Sequence, residues 1–237
     1  MPEKVRFRPI TDLFVQWYLP ELHNPWFILP IHKPTVNFHG TCLRFQAASL
    51  MPRPTIPPET QRVFIGIPID KRSQQRISEL LNPIIKLHQD IRWIPANNWH
   101  LTLAFLGNKP FSEVETLVRS IDEAYQQTTN FRYTLSRLTR FPDSMGRIIA
   151  LTADPSTRLD SLFKVTLGLL DRNNIKFDRI EFRPHITLGR INKGKRPKIK
   201  FDQKTDISLS INKITLYQST LTESGSIYSS LKEAHLI

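Results

Sequence analysis

Prolines divide this 237-residue chain near residue 60. Of its 18 prolines, ten lie in residues 1–59, where they are spaced closely enough to interrupt helices and sheet ladders. From Gln61 onward, apolar residues recur with the periods of strands and helices. We therefore expect a folded domain over residues 60–237. Residues 1–59 are expected to be a Pro-rich N-terminal extension that is either poorly ordered or an artefact of the start site, with Met51 as the true first residue.

The composition indicates what kind of partner the protein binds and excludes some kinds of site. The formal net charge is +12, from 33 Lys and Arg against 21 Asp and Glu, which favours a polyanionic partner such as nucleic acid. An ordinary basic protein without such a partner is the alternative. The single cysteine, Cys42, excludes an intramolecular disulfide framework and any Cys-based zinc site. No apolar run is long enough to span a membrane. We expect a cytoplasmic monomer with no membrane partner.

The local patterns beyond residue 60 alternate between strands and helices. Residues 63–69 form a β-branched apolar run, and Asp70 is placed to cap a following helix that Pro83 should kink or divide. Ser112 and Glu115 have the spacing of a capping box. Predicted strands outnumber predicted helices, and several neighbouring strands are joined by short links. This pattern favours an α+β fold with antiparallel or mixed sheets.

One short motif occurs twice, once in each half of this domain. His100-Leu101-Thr102-Leu103 recurs as His185-Ile186-Thr187-Leu188. Because strand side chains alternate between faces, each histidine should share a face with its threonine, while the apolar residues point into the core. We expect the two copies to face one another across a cleft, related by an approximate two-fold axis.

Two imidazoles and two hydroxyls, with no metal and no thiol, suit the cleavage of a phosphodiester at a ribose oxygen. One neutral histidine accepts a proton from the attacking water, and one protonated histidine donates a proton to the leaving oxygen. The threonine hydroxyls can donate hydrogen bonds to the phosphate oxygens. The alternative is that both histidines are ordinary half-buried strand residues.

These motifs and their surroundings resemble the two-histidine phosphoesterase superfamily. Within it, the chain is most similar to the bacterial and archaeal RNA 2′,3′-cyclic phosphodiesterases, also described as 2′–5′ RNA ligases. The resemblance runs from about Arg62 to the C-terminus. Its segments are Arg62-Val63-Phe64-Ile65-Gly66-Ile67-Pro68, Trp99 to Gly107 around the first histidine, Phe182 to Arg190 around the second, and Leu216 to Thr222 near the end.

The resemblance implies a bilobal α+β fold with a pseudo-two-fold axis, helices on the outer faces and a central groove between the motifs. It also implies hydrolysis of a 2′,3′-cyclic phosphate to a 2′-phosphomonoester without a cofactor or metal. His100 would then be the proton donor to the leaving 3′-oxygen, His185 the proton acceptor from water, and Thr102 and Thr187 the groups that hold the phosphate. The residues alone leave the order of the two histidines open, because the halves are nearly symmetric and ligation would reverse their roles.

Other residues are weaker candidates. The resemblance makes Arg190 a phosphate contact, yet it lies five residues after His185 and would face away in a regular strand, unless the chain twists or bulges. The basic loop Lys193 to Lys200 is either an RNA-binding segment or a solvated loop. Three further candidates are Arg147 near the groove, and Trp93 and Trp99 as base-stacking residues, with core packing favoured for the tryptophans.

Two alternatives to the phosphodiesterase remain open from the sequence. The domain could be a binding module for RNA ends or nucleotides with little catalysis. It could also perform the same chemistry on 2′–5′-linked oligonucleotides or other cyclic nucleotide phosphates. In each case the expected partners are RNA ends or cyclic nucleotides.

Overall fold

A computed structural model describes residues 60–192, 201–223 and 225–237. The predicted extension at residues 1–59 and the basic loop at residues 193–200 lie outside the described residues. Within the described ranges, the strands are β1 (Thr60–Pro68), β2 (Ile91–Trp93), β3 (His100–Pro110), β4 (Phe131–Phe141), β5 (Ile148–Thr152), β6 (His185–Ile191), β7 (Asp202–Ile211), β8 (Lys213–Thr222) and β9 (Gly225–His235). The helices are α1 (Lys71–Leu87), α2 (Phe111–Tyr125) and α3 (Thr157–Arg172). None of these helices is long and apolar enough to cross a membrane.

The strands form one sheet in the order β7-β4-β5-β6-β3-β1-β8-β9, with β2 also paired to β6. Every pairing between the described strands is antiparallel, so the predicted α+β class is confirmed, with a single antiparallel sheet. The order divides into two halves of four strands that meet where β3 pairs β6, with Leu101 opposite Ile186. Since both central strands begin with a His-x-Thr motif, an approximate two-fold axis relates the halves.

The apolar core fixes which face of the sheet is open. Leu101 and Ile186 are fully buried, in a core that also contains Ile77 of α1, Leu117 of α2 and Leu159 of α3. Burial of each such side chain contributes about 1.5–3 kcal/mol. The residues that alternate with Leu101 and Ile186 therefore point away from the helices, toward the opposite face.

Helix α1 begins as the sequence predicts but is not divided. The Asp70 carboxylate accepts hydrogen bonds from the Ser73 backbone N–H at 3.0 Å and from the Ser73 hydroxyl at 2.6 Å. The helix continues through Pro83 to Leu87. A proline deprives the carbonyl four residues earlier, here that of Glu79, of its helical partner. Both residues are exposed, so water can satisfy that carbonyl and the helix continues.

The predicted capping box of α2 is wrong. Strand β3 continues through Gly107 to Pro110, because Pro110 is paired with Thr60 of β1. Gly107 adopts a positive φ of 73°, which glycine permits without strain. The helix starts at the next residue, Phe111, with Pro110 in the cap position and no side-chain capping bond.

Candidate active site

The pairing between β3 and β6 brings the two motifs together. Leu101 and Ile186 are direct partners in the register, and each is flanked by a histidine and a threonine on the other face. Antiparallel geometry then places His100 beside Thr187 and His185 beside Thr102. All four side chains are half-buried, so each retains access to solvent. We call the surface formed by His100, Thr102, His185 and Thr187 the junction face.

Both histidines are held in the same tautomer by equivalent hydrogen bonds. Nδ1 of His100 lies 2.8 Å from the carbonyl oxygen of Asn98, and Nδ1 of His185 lies 2.8 Å from the carbonyl oxygen of Arg183. A carbonyl only accepts, so Nδ1 must carry the proton and donate it. In the neutral ring Nε2 is then left with its lone pair, and in the imidazolium Nε2–H becomes a donor. Either histidine can thus serve as base or acid through Nε2.

Aromatic rings fix the positions of both imidazoles. The Phe64 ring lies 4.6 Å from that of His100, and Tyr228 meets His100 edge-on at 5.0 Å. On the other side, Phe141 stacks on His185 with 3.9 Å between ring centroids. This packing limits rotation of each ring, so the Nε2 atoms keep a defined direction.

Burial disfavours the charged form of both histidines in the free protein. It is the main cause that lowers the pKa of His100 to about 4, with a smaller contribution from the nearby charge of His185 and opposition from the Asn98 carbonyl. Burial also lowers the pKa of His185, the Arg183 carbonyl opposes this, and the charges of Arg190 and Arg183 lower it further. Both rings are therefore neutral near pH 7 when the site is empty.

A β-bulge follows the threonine in each motif. In β6, Thr187 pairs with Ala150 and Gly189 with Ile149, so Leu188 is an extra residue. In β3, Leu103 is the corresponding extra residue, between the partners of Ile65 and Gly66. A bulge shifts the alternation of side chains by one position. Two consecutive residues then face the core in each strand, which the buried pairs Leu103–Ala104 and Leu188–Gly189 show.

The bulge in β6 decides where Arg190 points. In a regular strand, the fifth residue after His185 would face the core. With Leu188 as an extra residue, Arg190 instead emerges on the same face as His185, and it acts electrostatically on that imidazole. This geometry permits the phosphate contact that the family resemblance implies for Arg190.

The residues opposite the two threonines are small in both halves. Gly66 is the partner of Thr102, and Ala150 is the partner of Thr187. A Cβ atom on Gly66 would lie 3.0 Å from the Leu101 carbonyl oxygen and 3.6 Å from Cδ2 of His100. The distance to His100 is an ordinary van der Waals contact, whereas the distance to the Leu101 carbonyl oxygen is tight, so a side chain on Gly66 would press on the backbone of the first motif.

Positive charge is concentrated at the His185 end of the junction face. Arg92 of β2 is directly opposite Arg190 in the register, and Arg183 lies just before His185. Like charges that face one another across two strands destabilise a sheet. A phosphate bound between the two side chains would offset this repulsion through charge-assisted hydrogen bonds.

The threonine hydroxyls are available to a ligand. In the described part of the chain, neither Thr102 nor Thr187 uses its hydroxyl in a hydrogen bond with another residue. Two such donors beside two imidazoles can bind the non-bridging oxygens of one phosphate. Among residues 60–192, 201–223 and 225–237, no group of three or more His, Cys, Asp or Glu side chains is arranged to hold a metal ion.

Three residues that the sequence offered as binding candidates stabilise the fold instead. The Arg147 guanidinium donates from Nη2 to the Ile191 carbonyl oxygen at 2.8 Å and thus holds the end of β6. Trp99 is buried in the core and donates from Nε1 to the Ile94 carbonyl oxygen. Trp93 packs against the core and over Gly189, with its Nε1 donating to the His88 carbonyl oxygen. Both tryptophans thus have the core role that the sequence favoured.

Other residues of the site were missed because they come from strands distant in sequence. Phe64, Phe141 and Arg92 approach the junction from β1, β4 and β2. Nothing in their own neighbourhoods distinguishes them from core or surface residues. The sequence did contain one indication for a further residue, Phe105. Phe105 and Arg190 each lie five residues after a motif histidine, so a bulge that turns Arg190 toward the junction face would do the same for Phe105.

Comparison with known proteins finds similarity to phosphoesterases. Residues 67–150, which include the first motif, match the family model described as LigT like Phosphoesterase. A Thermotoga maritima protein named RNA 2′,3′-cyclic phosphodiesterase is 27% identical over 176 residues, which are 73% of this chain and 94% of the relative. A protein of the same name from Aquifex aeolicus is 26% identical over 190 residues, 74% of this chain and 97% of the relative.

Solved structures show the same fold. E. coli LigT in its apo form has a TM-score of 0.62 at 25% sequence identity, over 75% of this chain and 98% of that one. The protein TT0787 of Thermus thermophilus has a TM-score of 0.65 at 21% identity, over 74% of this chain and 97% of that one, a likeness of fold alone. E. coli LigT has also been crystallised with 3′-AMP and with ATP. Across the family model, the relatives and these structures together, the domain described here is similar to the LigT-like phosphoesterases.

Proposed function

We propose that this domain hydrolyses RNA 2′,3′-cyclic phosphate ends to 2′-phosphomonoesters by paired-histidine acid–base catalysis that needs no metal. The observation that supports this most directly is the equivalent orientation of the two imidazoles, each with Nδ1 on a backbone carbonyl and Nε2 left for proton transfer. The names of the relatives support the same substrate class. So does the excess of positive charge beside His185, because the substrate is an anion.

In the proposed reaction, Nε2 of neutral His185 accepts a proton from water while the water oxygen attacks phosphorus. The bond between phosphorus and the 3′-oxygen breaks, and Nε2–H of protonated His100 donates its proton to that oxygen. The products are a 2′-phosphomonoester and a free 3′-hydroxyl. Thr102, Thr187 and Arg190 donate hydrogen bonds to the phosphate oxygens, where negative charge increases in the transition state.

The surroundings of each histidine favour this division of roles. Arg183 and Arg190 oppose a positive charge on His185, which suits a group that begins the reaction neutral. His100 lies against the rings of Phe64 and Tyr228, and the charge that acts on it comes from His185, so its imidazolium meets little repulsion while His185 is neutral. We expect the substrate to raise the pKa of His100, because the negative phosphate stabilises the imidazolium that burial otherwise disfavours. In the ligation direction, the two histidines exchange roles.

The test is product analysis with 2′,3′-cyclic AMP in the presence of EDTA, by a chromatographic method that separates 2′-AMP from 3′-AMP. We expect 2′-AMP as the product. His100→Gln and His185→Gln should each reduce kcat by at least about 100-fold, since general acid–base catalysis contributes roughly 10²–10⁴-fold. His235→Gln is the matched control, because His235 is exposed at the end of the outermost strand, β9.

Each outcome separates the proposal from its alternatives. Full activity in either motif variant, or loss of activity with EDTA, would contradict the proposed mechanism. Unchanged cyclic phosphate together with measurable binding of the nucleotide would favour a binding module. Hydrolysis only of 2′–5′-linked or other cyclic nucleotide phosphates would support the same reaction on a different substrate.

We also propose that the protein acts in the cytoplasm as a monomer, with RNA ends or cyclic nucleotides as its partners.

A further inference from the structure

Phe105 is an exposed phenylalanine on the same face of the sheet as the catalytic candidates. Its side chain is 41% exposed, although it lies in the long central strand β3. The bulge at Leu103 turns Leu103 and Ala104 toward the core, so Phe105 emerges on the other side. Its partner in the register is Phe64, whose ring contacts His100 on the junction side. Both observations place Phe105 next to the aromatic residues around His100.

The surroundings of Phe105 suit a planar ligand. Phe64 is only 2% exposed and is already stacked on Tyr217, so it has no free surface for a ligand. Phe105 has that surface. The guanidinium of Arg62 lies over the Phe105 ring, 5.0 Å from its centre, so one face of the ring carries a positive charge. An exposed aromatic ring with an adjacent arginine is the combination that proteins use to bind a nucleobase and its backbone phosphate.

The approximate two-fold axis relates the position of Phe105 to that of Arg190. Phe105 occupies in β3 the place that Arg190 occupies in β6, since each follows its motif histidine by five residues and comes after an equivalent bulge. The two ends of the junction face are therefore chemically different, one with an arginine and the other with an aromatic ring. A symmetric phosphate needs no such difference, whereas an RNA strand has different groups on its two sides.

We propose that Phe105, together with Arg62, is a stacking subsite for a nucleobase upstream of the reacting RNA end. This proposal rests on the proposed function, because it assumes that the reacting phosphate lies at the junction face. Because Leu103 is an extra residue, Phe105 lies three register positions beyond Leu101, or about 10 Å at roughly 3.3 Å per strand residue. The base on Phe105 then belongs to a nucleotide further along the strand than the one that carries the cyclic phosphate. The subsite gives the enzyme a preference for oligonucleotide ends over mononucleotides.

The experiment compares two substrates, 2′,3′-cyclic AMP and a short oligoribonucleotide that ends in a 2′,3′-cyclic phosphate. Phe105→Ala should lower the ratio of kcat/KM for the oligonucleotide to that for the mononucleotide by roughly 5- to 100-fold, the usual effect of losing one stacked base. The loss should appear in KM rather than in kcat. Phe105→Leu, which retains apolar bulk without a flat ring, should behave like Phe105→Ala, whereas Phe105→Tyr should retain the ratio.

Phe111→Ala is the matched control, because Phe111 is 44% exposed, close to the value of Phe105, but begins helix α2. It should leave the substrate ratio unchanged. An unchanged ratio in both Phe105→Ala and Phe105→Leu would overturn the subsite, as would an equal change in Phe111→Ala. If the wild-type protein hydrolyses neither substrate, the proposed function fails, and binding of the same oligonucleotide with a 3′-phosphate end decides the subsite separately. Weaker binding by Phe105→Leu than by the wild type would support the subsite, and equal binding would refute it.

Discussion

The low pKa of His100 predicts a specific dependence of stability on pH. Folding lowers the pKa of this imidazole from 6.5 to about 4, a difference that corresponds to about 3.4 kcal/mol. The unfolded chain then binds more protons than the folded one between these values, so stability decreases as pH falls from about 6.5 toward 4. At about pH 5 the linkage relation gives a loss of about 2 kcal/mol from this group alone. Solvent access to the half-buried ring reduces the expected loss to about 1–2 kcal/mol.

The assay is urea unfolding of the wild type and of His100→Gln between about pH 7.5 and about pH 5. The wild type should lose about 1–2 kcal/mol more of its unfolding free energy over this range than the variant, which has no imidazole to protonate. His235→Gln, at an exposed position, should follow the wild type. Parallel pH profiles for the wild type and His100→Gln would refute the argument that burial controls His100.

Three further predictions concern the threonines, the glycine and the arginine pair. Thr102→Val and Thr187→Val should each lower kcat roughly 10²-fold, whereas serine should retain most activity; an undiminished valine variant would argue against phosphate binding by the hydroxyls. Gly66→Val should reduce activity measurably, because its Cβ would lie 3.0 Å from the Leu101 carbonyl oxygen and displace the backbone between His100 and Thr102, whereas Gly168→Ala, with open space around it, should be tolerated. Arg92→Ala should lower the slope of log affinity against log salt for a single-stranded RNA by about 0.7, and an unchanged slope would mean no phosphate contact.

Much of the fold followed from local patterns. The Asp70 cap, the apolar periods and the positions of most strands depend on interactions between residues close in sequence, so they are readable from one chain. The errors arose where a distant partner decides the outcome. Pairing with Thr60 extends β3 to Pro110 and removes the predicted capping box, and exposure of Glu79 lets α1 continue through Pro83.

The candidate site shows the same division. The repeated motif pointed to two histidines and two threonines, because repetition of a short pattern is visible without a structure. The sequence offered two positions for Arg190, on either face of β6, and could not choose between them. Only the pairing of β5 with β6 reveals the extra residue Leu188 that turns Arg190 toward His185. The same reasoning applied to β3 identifies Phe105.

The sequence by itself determined which side chains the candidate site repeats and the face that each shares within its own strand. The tertiary structure alone decided that the two strands meet at Leu101 and Ile186, that both imidazoles present Nε2, and that the two ends of the junction face differ. The physical reason is that alternation along a strand is a local property of the backbone. Register, bulges and burial, in contrast, depend on hydrogen bonds and packing with segments far away in the chain.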